Sequence, residues 1–182
     1  MEVEVYKRWD EENQKHWWFE GRKKIIYSIL KNNIRKNDLK ILDFGCGVGV
    51  NTKMLSEFGD VTCFDPSPEA IKFLKRKFNN DKKVLVEDNL DNCSEQFDLI
   101  IAADVVEHIE NDKEEIIKLH KLLKSDGLFF ATVPAYQFLF SIKDIKLHHK
   151  RRYNLFNFKK LISPFFNKIK ISYYNFFLFL PI

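Results

Sequence analysis

The residues with the clearest chemical potential form a glycine-rich loop, Asp43-Phe44-Gly45-Cys46-Gly47-Val48-Gly49. Glycines directly after a strand let the chain turn sharply and let a ligand lie close to the backbone. A dinucleotide-binding loop has the spacing G-x-G-x-x-G/A, which would require glycine or alanine at Val50. The observed spacing, D-x-G-x-G-x-G, predicts a ligand-binding turn and argues against a nicotinamide dinucleotide. An NAD-dependent oxidoreductase is kept as an alternative.

Two further acidic positions follow strand-like segments. Asp65 ends the second apolar segment, where a carboxylate can accept hydrogen bonds from both hydroxyls of a ribose. Asp65-Pro66-Ser67-Pro68 is also a good turn, so a helix-capping acid is the alternative. Asp88 and Asn89 follow the third segment and could accept from the exocyclic amine of adenine, or could be ordinary loop residues.

A polar cluster follows the fourth apolar segment. Asp104 ends that segment, and Glu107 and His108 come just beyond it. If the segments are parallel strands, we expect this cluster at the same sheet edge as Gly45 and Asp65. An imidazole there could act as a base, or could simply pack at a helix N-terminus.

The elements that must position these residues alternate between strand and helix, which predicts βαβ units and a mostly parallel sheet. Residues 6–16 show only a weak helical rhythm. The predicted helices cover about 19–36, 52–57, 68–78, 113–123 and 155–165. The predicted strands cover 40–44, 61–64, 84–86, 97–102, 128–133 and about 168–174, with a turn at 125–127. The fold class is therefore α/β, a Rossmann-like three-layer sandwich.

Residues 40–134 resemble class I S-adenosylmethionine-dependent methyltransferases. The resemblance rests on the D-x-G-x-G-x-G loop, Asp65, Asp88 and the segment F-D-L-I-I-A-A-D-V-V-E-H-I. The nearest group is the broad methyltransferase-domain group that includes ubiquinone-biosynthesis-type enzymes. H-W-W-F-E-G-R-K at 16–23, and V-P-A-Y with H-K-R-R-Y at 133–153, resemble a bacterial and archaeal subgroup. Some members of that subgroup are associated with glycan or lipid pathways.

The resemblance implies one methyltransferase domain over 1–182, with a helical cap at 1–36, a cofactor-binding core at 37–134 and a substrate-side segment at 135–182. It implies S-adenosyl-L-methionine as cofactor and a seven-stranded sheet, whose seventh strand would lie in 176–182 or be missing through truncation. The expected cofactor-binding residues are Arg22, Asp43, Gly45, Gly47, Gly49, Asp65, Pro66, Asp88, Asn89 and Asp104. Trp17, Trp18 and Phe19 would cover the cofactor or staple the first helices to the sheet.

The acceptor side is expected in the second set of motifs. The candidate catalytic residues are His108, Asp144 and His149, and the candidate substrate-binding residues are Tyr136, Arg151, Arg152 and Tyr153. Lys143 stands where the subgroup usually has histidine, which weakens the case for a base at that position. No metal-ligand cluster is visible at a recognisable sequence spacing, so no metal is predicted.

The segment 143–170 contains nine Lys or Arg residues and one acid, Asp144. Arg151 and Arg152 could clamp a phosphate or carboxylate bidentately, or form surface salt bridges. The expected acceptor is a small molecule, a glycan or a lipid-linked compound. The basic segment favours an anionic acceptor, and docking of the protein on a membrane surface is a related alternative. No N/D-P-P-Y/F motif follows the fourth segment, which argues against nucleic acid. A cofactor-binding protein without catalysis is the other alternative.

Composition bounds the remaining classes. The chain has 182 residues, of which 45% are hydrophobic, enough for one globular domain with a core. It has no apolar run near the roughly 20 residues that span a bilayer, and its acidic N-terminus is unlike a signal peptide. Three isolated cysteines suggest neither a disulfide framework nor a zinc site. These features predict a reduced, cytoplasmic protein.

Overall fold

A computed structural model describes residues 3–91, 93 and 96–174 of the chain. The Cα positions divide it into two compact units. The first unit comprises Met1–Ala103 and Leu122–Phe130, and the second comprises Asp104–Lys121 and Ala131–Ile182. Within the described ranges, no helix is both long and apolar enough to cross a membrane.

The first unit is built on a five-stranded sheet in the order β3-β2-β1-β4-β5. Its strands are β1 (Leu39–Phe44), β2 (Gly59–Phe64), β3 (Val84–Glu87), β4 (Phe97–Ala103) and β5 (Leu123–Thr132). β1 pairs in parallel with both β2 and β4, and β2 pairs in parallel with β3. The chain therefore builds outward from β1 to β3 and then returns to the other side of β1. Ligands of open α/β sheets bind beyond the carboxyl ends of the strands at such a reversal.

The central strand β1 is apolar because both of its faces are covered. Ile41 and Leu42 point to opposite faces, and both are fully buried. Ile26 and Leu30 pack in the same core cluster as Ile41. This burial fixes the end of β1, from which the glycine-rich loop departs.

Several of the helices begin at a residue whose side chain caps them. The helices are α1 (Val3–Lys15), α2 (Trp17–Asn33), α3 (Thr52–Leu55), α4 (Pro68–Lys77), α5 (Asp112–Leu122), α6 (Ile142–Lys146) and α7 (Leu155–Ile162). Ser67 caps α4 by accepting a hydrogen bond from the backbone N–H of Ala70, and Pro68 occupies the first turn. Tyr6 of α1 stacks on Phe73 of α4 and bonds the Ser67 hydroxyl, so these two helices pack together.

The second unit joins two segments that are distant in sequence. Ala135 and Tyr153 form an isolated parallel bridge, in which Tyr136 N–H donates to Tyr153 C=O and Tyr153 N–H donates to Pro134 C=O. Two single 3-10 turns, Val106–His108 and Gln137–Leu139, lie in the same unit. The bridge holds the V-P-A-Y segment beside the H-K-R-R-Y segment.

The predicted α/β fold with a sheet flanked by helices is confirmed, and the five best-defined strands are present. Two predictions were wrong. β5 begins at Leu123 and runs through the predicted turn at 125–127. Residues 168–174 alternate between half-buried and exposed as a strand does, but they are not a strand, and within the described part of the chain no strand pairs with them. The possible seventh strand at 176–182 lies outside the described residues.

Candidate functional site

The loop after β1 depends on glycine at three alternate positions. Gly45, Gly47 and Gly49 have φ of 68°, 56° and 72°, all in the left-handed region. Residues with a side chain pay about 1–2 kcal/mol to adopt this conformation, whereas glycine adopts it readily. The N–H groups of Gly45 and Cys46 both donate to the C=O of Phe64, at 2.8 and 3.0 Å. The turn is thereby anchored to the end of β2.

Asp65 fastens the same loop from the side. One carboxylate oxygen accepts from the N–H of Gly47 at 2.9 Å, and the other accepts from the N–H of Ser67 at 3.0 Å. Burial raises the pKa of Asp65, although these two backbone hydrogen bonds oppose the rise. Each carboxylate oxygen has more than one lone-pair site, so Asp65 can also accept from ligand hydroxyls.

Asp43 is a buried carboxylate at the carboxyl end of β1. Only 2% of the residue is exposed, and the hydroxyl of Thr52 donates to it at 2.7 Å. Burial raises its pKa to about 6; the Thr52 hydrogen bond and the positive charge of Arg22 act against this rise, and Asp65 adds to it. Arg22, a buried residue of α2, therefore lies within electrostatic reach of Asp43.

Gly47 and Gly49 differ in what surrounds them. A Cβ atom added at Gly47 would have no protein atom within 4 Å. One added at Gly49 would lie 2.8 Å from Cε2 of Phe78 and 3.0 Å from Cδ2 of Leu74. Gly49 is therefore required for packing against α4 and the residue that follows it, while Gly47 borders open space.

The remaining cofactor candidates have other contacts. Asp88 is exposed and pairs with Lys75 at 3.3 Å, while the Asn89 side chain accepts from the N–H of Asp91 at 2.6 Å. Pro66 is exposed in the turn before α4. These contacts account for Asp88 and Asn89 without a ligand, and their adenine role stays a prediction.

Asp104 directly follows β4 with a left-handed backbone, φ 57°. Its carboxylate accepts from the hydroxyl of Thr132 at 2.7 Å, and its N–H donates to the C=O of the same residue at 2.9 Å. A positive φ outside glycine is uncommon and is often found at ligand sites.

Asp144 is a buried carboxylate that several residues of the second unit contact. It is 1% exposed and accepts from the backbone and hydroxyl of Ser141, forming a capping box for α6. Arg152 donates to both of its oxygens, at 2.8 and 2.9 Å, and His149 Nδ1 lies 2.9 Å from Oδ1. Burial would raise the pKa of Asp144, but the bonds from Arg152, Ser141 and His149 hold it well below its usual range. Asp144 is thus a fixed anion that orients its neighbours, and its expected catalytic role stays a prediction.

Arg151 and Tyr153 share a second carboxylate. Arg151 lies 2.9 Å from Asp112, and the hydroxyl of Tyr153 donates to the same carboxylate at 2.7 Å. Burial, followed by the Asp112 hydrogen bond, raises the pKa of Tyr153 above its usual range. Both arginines therefore pair with carboxylates of the same unit, as the salt-bridge alternative expected, and their role as an anion clamp stays a prediction.

His108 and His149 meet edge to face, with ring centroids 4.6 Å apart. Desolvation, followed by the neighbouring His149, lowers the pKa of His108. Glu107, fully buried, precedes His108 in the 3-10 turn. The structure thus brings together the two candidate catalytic histidines with an acid that the sequence had placed in the same cluster.

Tyr136 and Trp17 are the aromatic candidates for the acceptor and for covering the cofactor, and the substrate-binding role of Tyr136 stays a prediction. Tyr136 stacks on Tyr173 with centroids 5.0 Å apart, and its backbone has φ 60° and ψ 109°, a strained combination outside the left-handed helical region. Trp17 is 66% exposed and stacks on His16, so its own ring does not staple the helix to the sheet.

Sequence reasoning missed Thr52 and Asp112. Thr52 looked like an ordinary helix-forming position, yet it donates to Asp43. Asp112 lies at the start of α5, far in sequence from the two residues it binds. The only available signal was its place in the first turn, where acids are generally favourable.

The chain matches the family described as a methyltransferase domain over residues 11–174. The chain belongs to this methyltransferase domain family. The expected membership of the class I S-adenosylmethionine-dependent methyltransferases is confirmed at this level, and the family points to that cofactor. The subgroup suggested by the flanking motifs stays a prediction.

Individual relatives agree with the family. The chain is 36% identical over 104 residues to the mitochondrial ubiquinone biosynthesis O-methyltransferase of Rattus norvegicus, covering 52% of this chain but only 30% of that protein. It is 29% identical over 189 residues to the ubiquinone biosynthesis O-methyltransferase of Glaesserella parasuis serovar 5, covering 90% of this chain and 78% of that protein. The crystal structure of the YcgJ protein from Bacillus subtilis superposes with a TM-score of 0.67 at 17% identity, over 75% of this chain and 65% of that one. That likeness supports the fold.

The two loop glycines provide a test of packing. We expect Gly49→Ala to lower the free energy of unfolding by about 2–5 kcal/mol, because left-handed strain adds to overpacking against Phe78 and Leu74. Gly47→Ala should cost only about 1–2 kcal/mol, the strain alone. Urea denaturation of both variants measures the difference, and equal losses would contradict the packing assigned to Gly49.

The ion pair of Arg152 provides a second test. Arg152→Ala should lower the free energy of unfolding by about 3–5 kcal/mol, because it leaves the buried Asp144 carboxylate without its bidentate partner. Lys150→Ala is the matched control; the Lys150–Glu110 pair is exposed, so the loss should stay within about 0.5 kcal/mol. Thermal or urea unfolding measures the loss in free energy of unfolding for each variant, and equal losses would refute the assignment.

Proposed function

We propose that this chain binds S-adenosylmethionine in its first unit and transfers the methyl group to an oxygen or carbon atom of an acceptor. The acceptor is a small molecule, a glycan or a lipid-linked compound. The observation that carries the proposal is the turn after β1, which has three left-handed glycines, binds Asp65 through the N–H of Gly47, and lies next to the buried Asp43.

The residues of this turn fit the cofactor that the family implies. The open space next to Gly47 admits a ligand against the backbone, where a Cβ would intrude. Asp65 stands where a carboxylate can accept both ribose hydroxyls. The same spacing disfavours the alternative NAD-dependent oxidoreductase, because Val50 occupies the position of the third glycine or alanine.

Asp43 and Arg22 suit the charged end of the cofactor. A buried carboxylate with a pKa raised to about 6 gains stabilisation from a nearby cation, and S-adenosylmethionine carries both an ammonium and a sulfonium group. Arg22 would bind the methionyl carboxylate through charge-assisted hydrogen bonds. When bound, the cofactor supplies an already activated methyl group, so the chain's own work is to bind, align and desolvate.

The second unit is assigned to the acceptor. Asp144 holds Nδ1 of His149, which leaves Nε2 as the atom to take a proton from a hydroxyl acceptor. The strained Tyr136 is a further positioning candidate, and the cofactor-binding role expected of Asp104 stays a prediction. Arg151 and Arg152 support this region through Asp112 and Asp144, and an anionic acceptor would be attracted by the surrounding lysines of residues 143–170. A cofactor-binding protein without turnover is the alternative that an activity assay decides.

Calorimetry tests the cofactor assignment. S-adenosylmethionine should bind and NAD should not, and Asp65→Ala should weaken binding by about 1–3 kcal/mol because hydrogen bonds in a desolvated site are lost. Asp60→Ala, an exposed acid on β2, is the matched control and should bind like the parent. Saturable NAD binding without any response to S-adenosylmethionine would overturn the proposal.

Exposed apolar side chains of the second unit favour a lipid-linked acceptor or contact with a membrane surface. Phe138, Ile142, Ile145 and Phe156 are all more than 60% exposed, and Lys143 and Lys146 interleave with the two isoleucines on α6. Apolar side chains flanked by lysines are typical of helices that lie on anionic membranes.

Vesicle co-sedimentation measures this contact. The parent should bind vesicles containing about one third phosphatidylserine more tightly than pure phosphatidylcholine, because lysines add attraction to anionic lipid. The double change Ile142→Ser and Ile145→Ser should reduce binding at least about a hundredfold, since two isoleucines buried in lipid together contribute roughly 3–6 kcal/mol. Leu85→Ser, at an exposed leucine of the first unit, is the control. Equal binding of parent and double variant would show that lipid does not dock on α6.

A further inference from the structure

Three potential metal ligands meet in the second unit. Glu107, His108 and His149 each offer a ligand atom, and these atoms all lie within 4.8 Å of one another. Ligands about 2.1 Å from a single ion lie roughly 3–4 Å apart, so only a small movement is needed to close around one. His108 is exposed, which leaves its ring room to make that movement.

Hydrogen bonds and an ion pair hold together the two segments that contribute the three ligands. The N–H of Lys150, next to His149, donates to the C=O of Glu107 at 2.7 Å. Arg151 donates to the C=O of Glu110 at 2.8 Å and pairs with Asp112. The three ligand atoms are therefore brought together by a bonded framework rather than by side-chain flexibility, which lowers the entropy cost of binding an ion.

Asp144 fixes the orientation of the His149 imidazole. Its carboxylate lies 2.9 Å from Nδ1 of His149 and is itself held by two bonds from Arg152. A carboxylate on the outer nitrogen fixes the ring orientation and presents Nε2 as the ligand atom, the usual arrangement around metal-bound histidines. Asp144 would thus be a positioning residue for the ion, not a ligand.

Glu107 supplies the negative charge. Its side chain is fully buried beside the two imidazoles, where a cation would add a favourable electrostatic interaction to a carboxylate removed from water. Two imidazole nitrogens and one carboxylate oxygen suit Zn²⁺ and similar divalent ions, and leave coordination positions open for an outside oxygen ligand.

We propose that Glu107, His108 and His149 bind one divalent transition-metal ion, with Asp144 orienting His149. With an ion bound, Nε2 of His149 is a ligand rather than the base. The open positions would then take an oxygen atom of the acceptor, and the ion would act as a Lewis acid that favours loss of the acceptor's hydroxyl proton to solvent. The absence of a metal-ligand spacing in the sequence is explained by the fold, because His149 reaches the other two ligands only through the joining of distant segments. Ion binding goes beyond the proposed methyl transfer and does not depend on it.

Titration with Zn²⁺ alone tests the site. Chelator-treated protein, without cofactor or acceptor, should bind one equivalent of Zn²⁺ by calorimetry and should unfold at a higher temperature when loaded. His108→Ala and Glu107→Gln should each weaken binding at least tenfold. His148→Asn is the matched control, because His148 is an adjacent exposed histidine outside the cluster whose positive φ asparagine tolerates.

The visible absorption of bound Co²⁺ distinguishes the loss of a metal ligand from a change in the fold. Co²⁺ bound by the parent and by His148→Asn should show the visible absorption of a nitrogen- and oxygen-ligated ion, and His108→Ala should lose it. Because His108 is exposed, this variant should keep the parent fold. No binding by the parent at millimolar Zn²⁺, or parent-like binding by His108→Ala and Glu107→Gln, would overturn the metal site. Either result would leave S-adenosylmethionine binding, measured separately, unaffected.

Discussion

The first unit depends on one constraint, the sharp left-handed turn with which the chain leaves the buried end of β1. Burial on both faces fixes β1, and the C=O of Phe64 and the carboxylate of Asp65 fix the turn from the neighbouring strand. The turn requires glycine in three alternate places, one of which borders open space. The position of the turn follows from the strand order, because the order in which strands are added to the sheet reverses at β1.

The second unit depends in a similar way on a buried charge. Asp144 receives bonds from Ser141, His149 and Arg152, so one carboxylate caps a helix, orients an imidazole and holds an arginine. Removing any one partner would leave the others attached to a poorly compensated buried anion. The H-K-R-R-Y segment is therefore primarily an internal framework that places His149 next to Glu107 and His108.

The sequence predicted features that are determined locally. Apolar runs and glycine spacing located β1 to β4 and the turn, because burial on both faces and left-handed backbone both restrict residue type. Features that depend on distant partners were harder to predict. The alternation at 168–174 could not reveal that no strand among the described residues pairs with this segment. Likewise, the sequence of the arginine pair could not reveal Asp112 and Asp144 as its partners. The same limit concealed the cluster of Glu107 and the two histidines.

The central claim, that the turn after β1 holds S-adenosylmethionine, is tested most directly by observing the glycines themselves. The chain has six glycines, so selective 15N-glycine labelling gives a simple amide spectrum. Addition of S-adenosylmethionine should shift the resonances of Gly45, Gly47 and Gly49, while Gly59 at the start of β2 and Gly127 within β5 stay in place. A spectrum in which the three loop glycines do not respond to saturating S-adenosylmethionine would contradict the account.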